Sequence, residues 1–283
     1  MIYKNADSLI SGAWLQDHLY DDNLRVIDAS FHLPQTRRNA RDEWAARHIL
    51  GAIYLDVNEI ADTSSDQPHM LPSAAKFAKA LGGVGVSSTH KIIVYDSNGG
   101  QMAACRMWWM LKVFGHTDVA VLNGGLINWD LEGRPVDDAT PALAPQVFKA
   151  TFKADLVKSK ADVLANLKSK SDQVVDARAQ GRFQGTVPEP RPTKRSGHIP
   201  GALNVPFTGL MQPLFNSAED ITKTFNAAGV DLHNSTIHTC GSGVTACVTA
   251  FAMHLLGNDQ WAVYDGSWAE WGNDDAAPVE GPL

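Results

Sequence analysis

A chain of 283 residues, 44% apolar and 19% charged, is long enough for two domains that each bury a core, and its composition is neither disordered nor membrane-embedded. Its 24 basic against 31 acidic residues leave a net charge of −7, which argues against nucleic acid or an anionic membrane as the main partner. The three cysteines, Cys105, Cys240 and Cys247, lack paired metal-ligand spacing and are too few for a disulfide framework, which fits a reducing compartment.

Met1 to Tyr20 interleaves Asp7, Asp17 and His18 with apolar residues and reads as neither signal peptide nor spanning helix, so the cytoplasm is the expected location. Asp7 or Ser8 is the expected cap of a first helix through His18, with Leu9, Ile10 and Trp14 on one face. A strand follows at Arg25-Val26-Ile27-Asp28-Ala29, then a charged helix over 37–47 and the turn His48-Ile49-Leu50-Gly51-Ala52-Ile53. After a polar loop containing Asn58 and His69, a helix is expected over 72–81, a strand at Ile92-Ile93-Val94-Tyr95, a helix over 102–114 and a strand at Val119-Ala120-Val121-Leu122. Gly124-Gly125 then turns the chain into a short helix reaching Trp129.

The second half repeats that order. Val174-Val175-Asp176-Ala177 answers Val26 to Ala29, and His198-Ile199-Pro200-Gly201-Ala202 answers the His48 turn. Thr236 to Thr239 answers Ile92 to Tyr95, and Gly266 to Trp271 answers Gly124 to Trp129. Each copy alternates strand and helix, as an α/β domain with a mainly parallel sheet flanked by helices does. The proline-rich, apolar-poor stretch around Asp137 to Pro145 separates them, giving an N-terminal domain at 1–138, a linker at 139–158 and a C-terminal domain at 159–283.

The copies differ at one position of consequence. Where the first carries Asp96, the second carries Cys240-Gly241-Ser242-Gly243-Val244-Thr245-Ala246 between a β-rich run and a helix. Glycines that bend freely, loop amides and a helix N-terminus together make an anion cradle, in which Cys240 is expected to ionise more easily than a free thiol of pKa ~8.5. The plainer alternative is a core cysteine beside a turn. Cysteine phosphatases, whose loop resembles this one, need an arginine where Ala246 stands, and no nucleotide loop ends here in Gly-Lys-Ser/Thr. Cationic partners for Cys240 must come from elsewhere, and the first copy, which lacks the nucleophile, is expected to wall one side of the cleft.

Several separated motifs carry a family resemblance: the Cys240 loop, Gly181-Arg182-Phe183, Glu189-Pro190-Arg191, Gly197 to Ala202, Tyr264-Asp265-Gly266-Ser267-Trp268 and His69-Met70-Leu71-Pro72. Over essentially its whole length the chain resembles the two-domain rhodanese-type sulfurtransferases, and within them the branch that uses 3-mercaptopyruvate. The resemblance implies two tandem rhodanese-like domains of which only the second is catalytic, a persulfide formed on Cys240, and no metal or organic cofactor. Thiosulfate-preferring relatives carry cationic side chains immediately after the cysteine; Gly241 and Ser242 stand there instead, which suits an organic donor.

The resemblance further assigns Arg182 and Arg191 to the keto-acid carboxylate, with Gly241, Gly243, Val244 and Thr245 lining the substrate. It places Ser242 beside the substrate carbonyl, with His69 as its proton-relay partner. Asn58 stands where many relatives have an acid, which leaves Asn58 or Asp56 to support His69. The resulting reaction carries sulfur from 3-mercaptopyruvate through Cys240 to cyanide or to a small or protein thiol, such as a thioredoxin-like protein, by double displacement. The rivals are a thiosulfate:cyanide sulfurtransferase of the same fold and a non-enzymatic sulfur carrier or interaction module. Asp28, Asp176, His48 and His198 recur in both copies and read as scaffold, Trp108 and Trp109 as core, and Cys105 and Cys247 as buried packing. The Asp265 to Trp268 stretch is either pocket floor or a turn with a core tryptophan.

Overall fold

The computed structural model describes residues 2–33, 36–99 and 101–281. In the first half, β1 (Leu9–Ile10), β2 (Leu24–Asp28), β3 (His48–Ile49), β4 (Ile53–Tyr54), β5 (Lys91–Tyr95), β6 (Val119–Leu122) and β7 (Val136–Asp137) appear in chain order. Five of them form a parallel sheet in the order β1-β6-β5-β2-β4, while β3 and β7 make a separate antiparallel pair. The second half supplies β8 (Val157–Lys158), β9 (Gln173–Asp176), β10 (Leu203–Asn204), β11 (Thr236–Thr239) and β12 (Trp261–Tyr264). These are again all parallel, in the order β10-β9-β11-β12-β8. Read from the other edge, the two orders are the same, so the duplication seen in the sequence extends to topology.

The first helix is shorter than expected. Leu9 and Ile10 extend as an edge strand because they pair with Val121 and Leu122, and the helix Gly12–His18 begins only after Ser11, whose side chain accepts the Trp14 N–H at 3.2 Å. Asn39 likewise caps Ala40–Ala46 within the stretch expected to be helical over 37–47, and Ser73 starts Ala74–Gly83. The segment between the copies runs back along the first, through Gln146 N–H to Gly82 O and Thr151 N–H to Phe114 O. Its last residues, Val157 and Lys158, are the edge strand of the second sheet.

The helices that follow the two corresponding loops, Met102–Val113 and Ala246–Leu255, pack against each other and join the halves. Both are apolar around nearly their whole circumference and nearly wholly buried, as a helix enclosed on every side must be. Trp108 stands edge-on to Phe251 with ring centroids 4.8 Å apart, and one apolar cluster runs through both sheets. The N-terminal arm adds a second tie, with Lys4 N–H to Leu255 O at 2.9 Å and Ser8 Oγ 2.9 Å from His254 Nε2. Among the described residues no helix is long and apolar enough to cross a membrane.

Candidate active site

Cys240 is the residue after β11, the central strand of the second sheet, at the carboxyl end where open α/β sheets place their ligands. Its loop is held from behind by the turn after β12. Cys240 N–H donates to Ser267 Oγ at 3.2 Å, Cys240 O accepts from Trp268 N–H at 3.0 Å, and Gly241 O accepts from Ala269 N–H at 2.8 Å. The Asp265 to Trp268 stretch is thus a brace for the Cys240 loop. Among the described residues, no amide of 241–246 donates to a protein acceptor, and Thr245 gives the Ala246–Leu255 helix no side-chain cap. The loop therefore offers unspent donors at the positive end of a helix dipole.

The two glycines serve different purposes. At Gly243, φ is +75° and a Cβ would meet the Asp265 carbonyl at 2.6 Å. At Gly241, a Cβ would meet Arg182 Nη2 at 2.5 Å, so glycine there lets a guanidinium lie against the loop backbone.

Cys240 is only 2% exposed, yet it lines a cavity of ≈ 400 Å³ formed by both copies. The second copy contributes Cys240, Gly241, Ser242, Val244, Thr245, Arg182 and Arg191; the first contributes Phe31, Leu33, Met102 and His69. Of the residues expected at the site, Gly243 alone does not line this cavity; its carbonyl is turned to Arg106 Nη1 at 3.2 Å.

The arginines are not equivalent. Arg182 is committed to Glu189 through Nε at 3.1 Å and a close Nη2 contact, and Glu189 is shared with the buried Arg178 at 2.8 Å. Arg178 in turn forks onto Asp176. Arg191 is half-buried, donates to Ser242 Oγ at 3.4 Å, and has no carboxylate partner among the described residues. Burial pulls its pKa below the ordinary guanidinium value, and the charge on Cys240 works the other way.

His69 reaches the same cavity from the first copy, with its ring 5.2 Å from Phe31 and neither ring nitrogen bonded to protein among the described residues. Burial, then the positive charges of Arg191 and Arg106, pull its pKa down to about 3, so it is neutral at pH 7. Neither residue considered as its support reaches it. Asp56 caps the short helix Val57–Ile60 by accepting the Asn58 N–H at 2.7 Å, and Asn58 is exposed. Cys247 donates to Gly243 O at 3.2 Å, and burial holds its thiol well above the usual range, which suits packing and not a resolving thiol. The recurring acids and histidines make loop bonds, Asp28 to Ser30 N–H and His198 to Phe183 O, as scaffold residues do.

Sequence reasoning missed Glu189 as the partner of Arg182, and it missed Arg106. The signal for Arg106 was present: a charge in the middle of an otherwise apolar stretch of helix must be buried and paired, unlike Lys112 at the helix end.

A rhodanese-like domain matches the chain twice, at residues 11–132 and 159–274. A 3-mercaptopyruvate sulfurtransferase of Mus musculus is 42% identical over 271 residues, 93% of this chain and 91% of that protein. A thiosulfate sulfurtransferase of Rattus norvegicus is 45% identical over 272 residues, again 93% and 91%. Among solved structures, SseA of Escherichia coli, described with the rhodanese fold of 3-mercaptopyruvate sulfotransferases, superposes with a TM-score of 0.85 at 36% identity, covering 92% of this chain and 98% of that one. With two matched domains, two sheets of one topology and full-length relatives of this kind, the chain belongs to the two-domain rhodanese-type sulfurtransferases.

Proposed function

We propose that the protein moves the sulfur of 3-mercaptopyruvate, through a persulfide on Cys240, to cyanide or a thiol acceptor, a thioredoxin-like protein among them, and releases pyruvate. The observation that carries this reading is Arg191, a half-buried guanidinium beside Ser242 on the Cys240 cavity with no carboxylate partner among the described residues. The planar carboxylate of a keto acid supplies that anion and matches the guanidinium fork. The neutral Gly241-Ser242 pair supports a donor whose charge lies away from its sulfur. In this reading residues 159–283, with β8 as edge strand, are the catalytic unit, and residues 1–138 form its wall.

The Cys240 thiolate attacks the donor sulfur and the C–S bond breaks, its electron pair leaving as the enolate of pyruvate. The unspent amides of 241–246 and Ser242 stabilise the developing charge. Ser242, with neutral His69 able to accept and pass on a proton, delivers the proton that converts enolate to pyruvate. The acceptor then takes the outer sulfur and regenerates the thiolate, which gives ping-pong kinetics.

The thiosulfate sulfurtransferase at 45% identity favours a second reading, with thiosulfate as donor. The ratio of kcat/KM for the two donors decides between them. Intact-protein and peptide mass spectrometry after incubation with 3-mercaptopyruvate tests the first reading: one sulfur is expected on Cys240, and none, or one mapping elsewhere, would refute it.

A further inference from the structure

Arg106 belongs to the copy without Cys240, yet its guanidinium reaches Gly243 and Asp265 of the other copy and the His69 carbonyl of its own. It is fully buried in the Met102–Val113 helix, with its guanidinium 4.4 Å over the ring of Trp109. Nη1 donates to Asp265 Oδ1 at 2.6 Å and to Gly243 O at 3.2 Å, and Nη2 donates to the carbonyl of His69. The second oxygen of Asp265 accepts the Leu71 N–H at 2.8 Å. One ion pair across the domain interface therefore fixes the His69–Leu71 strap of one copy against the nucleophile loop of the other.

Two backbone conformations show what is being held. His69 has φ of +62° and Gly243 has +75°. The left-handed region is costly for histidine and persists only where its surroundings impose it. The imposing contacts are Arg106 on its own carbonyl and Asp265 on the amide two residues later. Stability alone does not explain the device, since a buried ion pair is often no better than apolar side chains of the same volume. A guanidinium adds direction: its rigid fork reaches three acceptors at once, which a lysine ammonium on a flexible stem cannot reproduce.

We propose that Arg106, with Asp265, is the positioning pair for carbon–sulfur cleavage, setting His69 of the first copy in register with Cys240 and Ser242 of the second. The inference rests on the keto-acid reading above. Pyruvate formation needs a proton delivered to carbon, whereas transfer of sulfur from the Cys240 persulfide to cyanide does not. The two half-reactions should therefore respond differently.

The full-length Arg106→Lys variant keeps the charge opposite Asp265 and loses the fork. The expected result is a folded protein whose kcat for pyruvate release from 3-mercaptopyruvate falls by about 10²-fold, with KM nearly unchanged. Discharge to cyanide of persulfide loaded with inorganic polysulfide should stay near the wild-type rate. A folded variant with unchanged kcat, or with both half-reactions reduced by one factor, would overturn the proposal. If Arg106→Lys does not fold, the neutral double variant Arg106→Gln, Asp265→Asn reads the same split, and failure of both to fold would overturn it too, by making the pair a requirement of the fold. Wild type run in parallel keeps the two readings apart: absence of sulfur on its Cys240 after 3-mercaptopyruvate refutes the donor assignment itself, whereas a defect without the split refutes only the role of Arg106.

Discussion

The loops after β5 and β11 are the same frame put to opposite uses. In each, the carbonyl of the first loop residue accepts an amide from the following glycine turn at 3.0 Å, Leu126 N–H to Asp96 O and Trp268 N–H to Cys240 O. In the first copy the side chain of Asp96 then turns back on the next helix and accepts the amides of Ala103 and Ala104 at 2.9 and 3.0 Å. The helix N-terminus is filled by an anion the protein carries itself. In the second copy Cys240 sends no such acceptor inward, and among the described residues no protein acceptor takes the amides of 241–246. What separates the two copies is a set of amides that the first satisfies and the second, among the described residues, leaves open, while the first copy lends His69 to the Cys240 cavity and Arg106 to the carbonyl behind it.

The sharpest break in that comparison is at Cys240. Cys240→Ser should reduce pyruvate release to background, measured by a coupled pyruvate assay. Adding Asp96→Cys to that variant should restore nothing, because position 96 is fully buried, with its side chain turned onto its own helix and outside the cavity that Arg191 lines; turnover from a cysteine at 96 would show the copies to be interchangeable.

Next comes the contrast between the arginines. Arg191→Ala should lower kcat/KM for 3-mercaptopyruvate by about 10- to 100-fold, the worth of a charge-assisted pair, chiefly through KM. Arg182→Ala should lose less, since Glu189 already engages that guanidinium and keeps Arg178 as a partner. Equal losses from the two variants, or equal losses with thiosulfate as donor, would remove the distinction.

His69→Gln should lower kcat for the organic donor on the order of 10²-fold, the usual weight of a proton-transfer group, and leave persulfide discharge to cyanide unchanged. With a folded pKa of about 3 against an ordinary 6.5, His69 favours the fold while neutral. The associated stability is present above about pH 6.5 and is lost as pH falls towards 3, so the acid-side decline in thermal stability should be shallower in His69→Gln. An unchanged decline would place the cause in another buried group such as His238, which burial also pulls down to about 3.

Sequence patterns revealed the repeat, both central strands and the Cys240 loop because each is written in consecutive residues. Leu9 and Ile10 were misread as helix because their strand exists only through pairing with β6, more than a hundred residues away. The commitment of Arg182 to Glu189 was hidden for a related reason: the two share a motif region, but which acid faces which base depends on how the 180–191 segment folds back on itself. Asp56 could orient His69 only if the backbone aimed it there, and the backbone instead sets its oxygen to cap the next turn. Arg106 was legible in principle, since a charge in an all-round apolar helix demands a partner, but nothing local named Asp265.

The smallest effect on catalysis is expected at Asp96, and it tests the other half of the comparison. Burial, the largest influence, raises its carboxyl from 3.8 to about 6, with Asp28 adding to the rise and the loop and helix amides opposing it. A raised carboxyl contributes stability that is complete below pH 3.8 and is lost as pH climbs through 6. Between pH 4 and 7, wild type should therefore lose up to about 3 kcal/mol relative to Asp96→Asn, whose side chain does not titrate, as read from urea unfolding at each pH. Turnover per folded molecule should match wild type, because Asp96 stays turned onto its own helix. An opposite slope would mean that the helix amides outweigh burial, and the filled cradle of the first copy would then stabilise its anion as strongly as the open one is proposed to stabilise a thiolate.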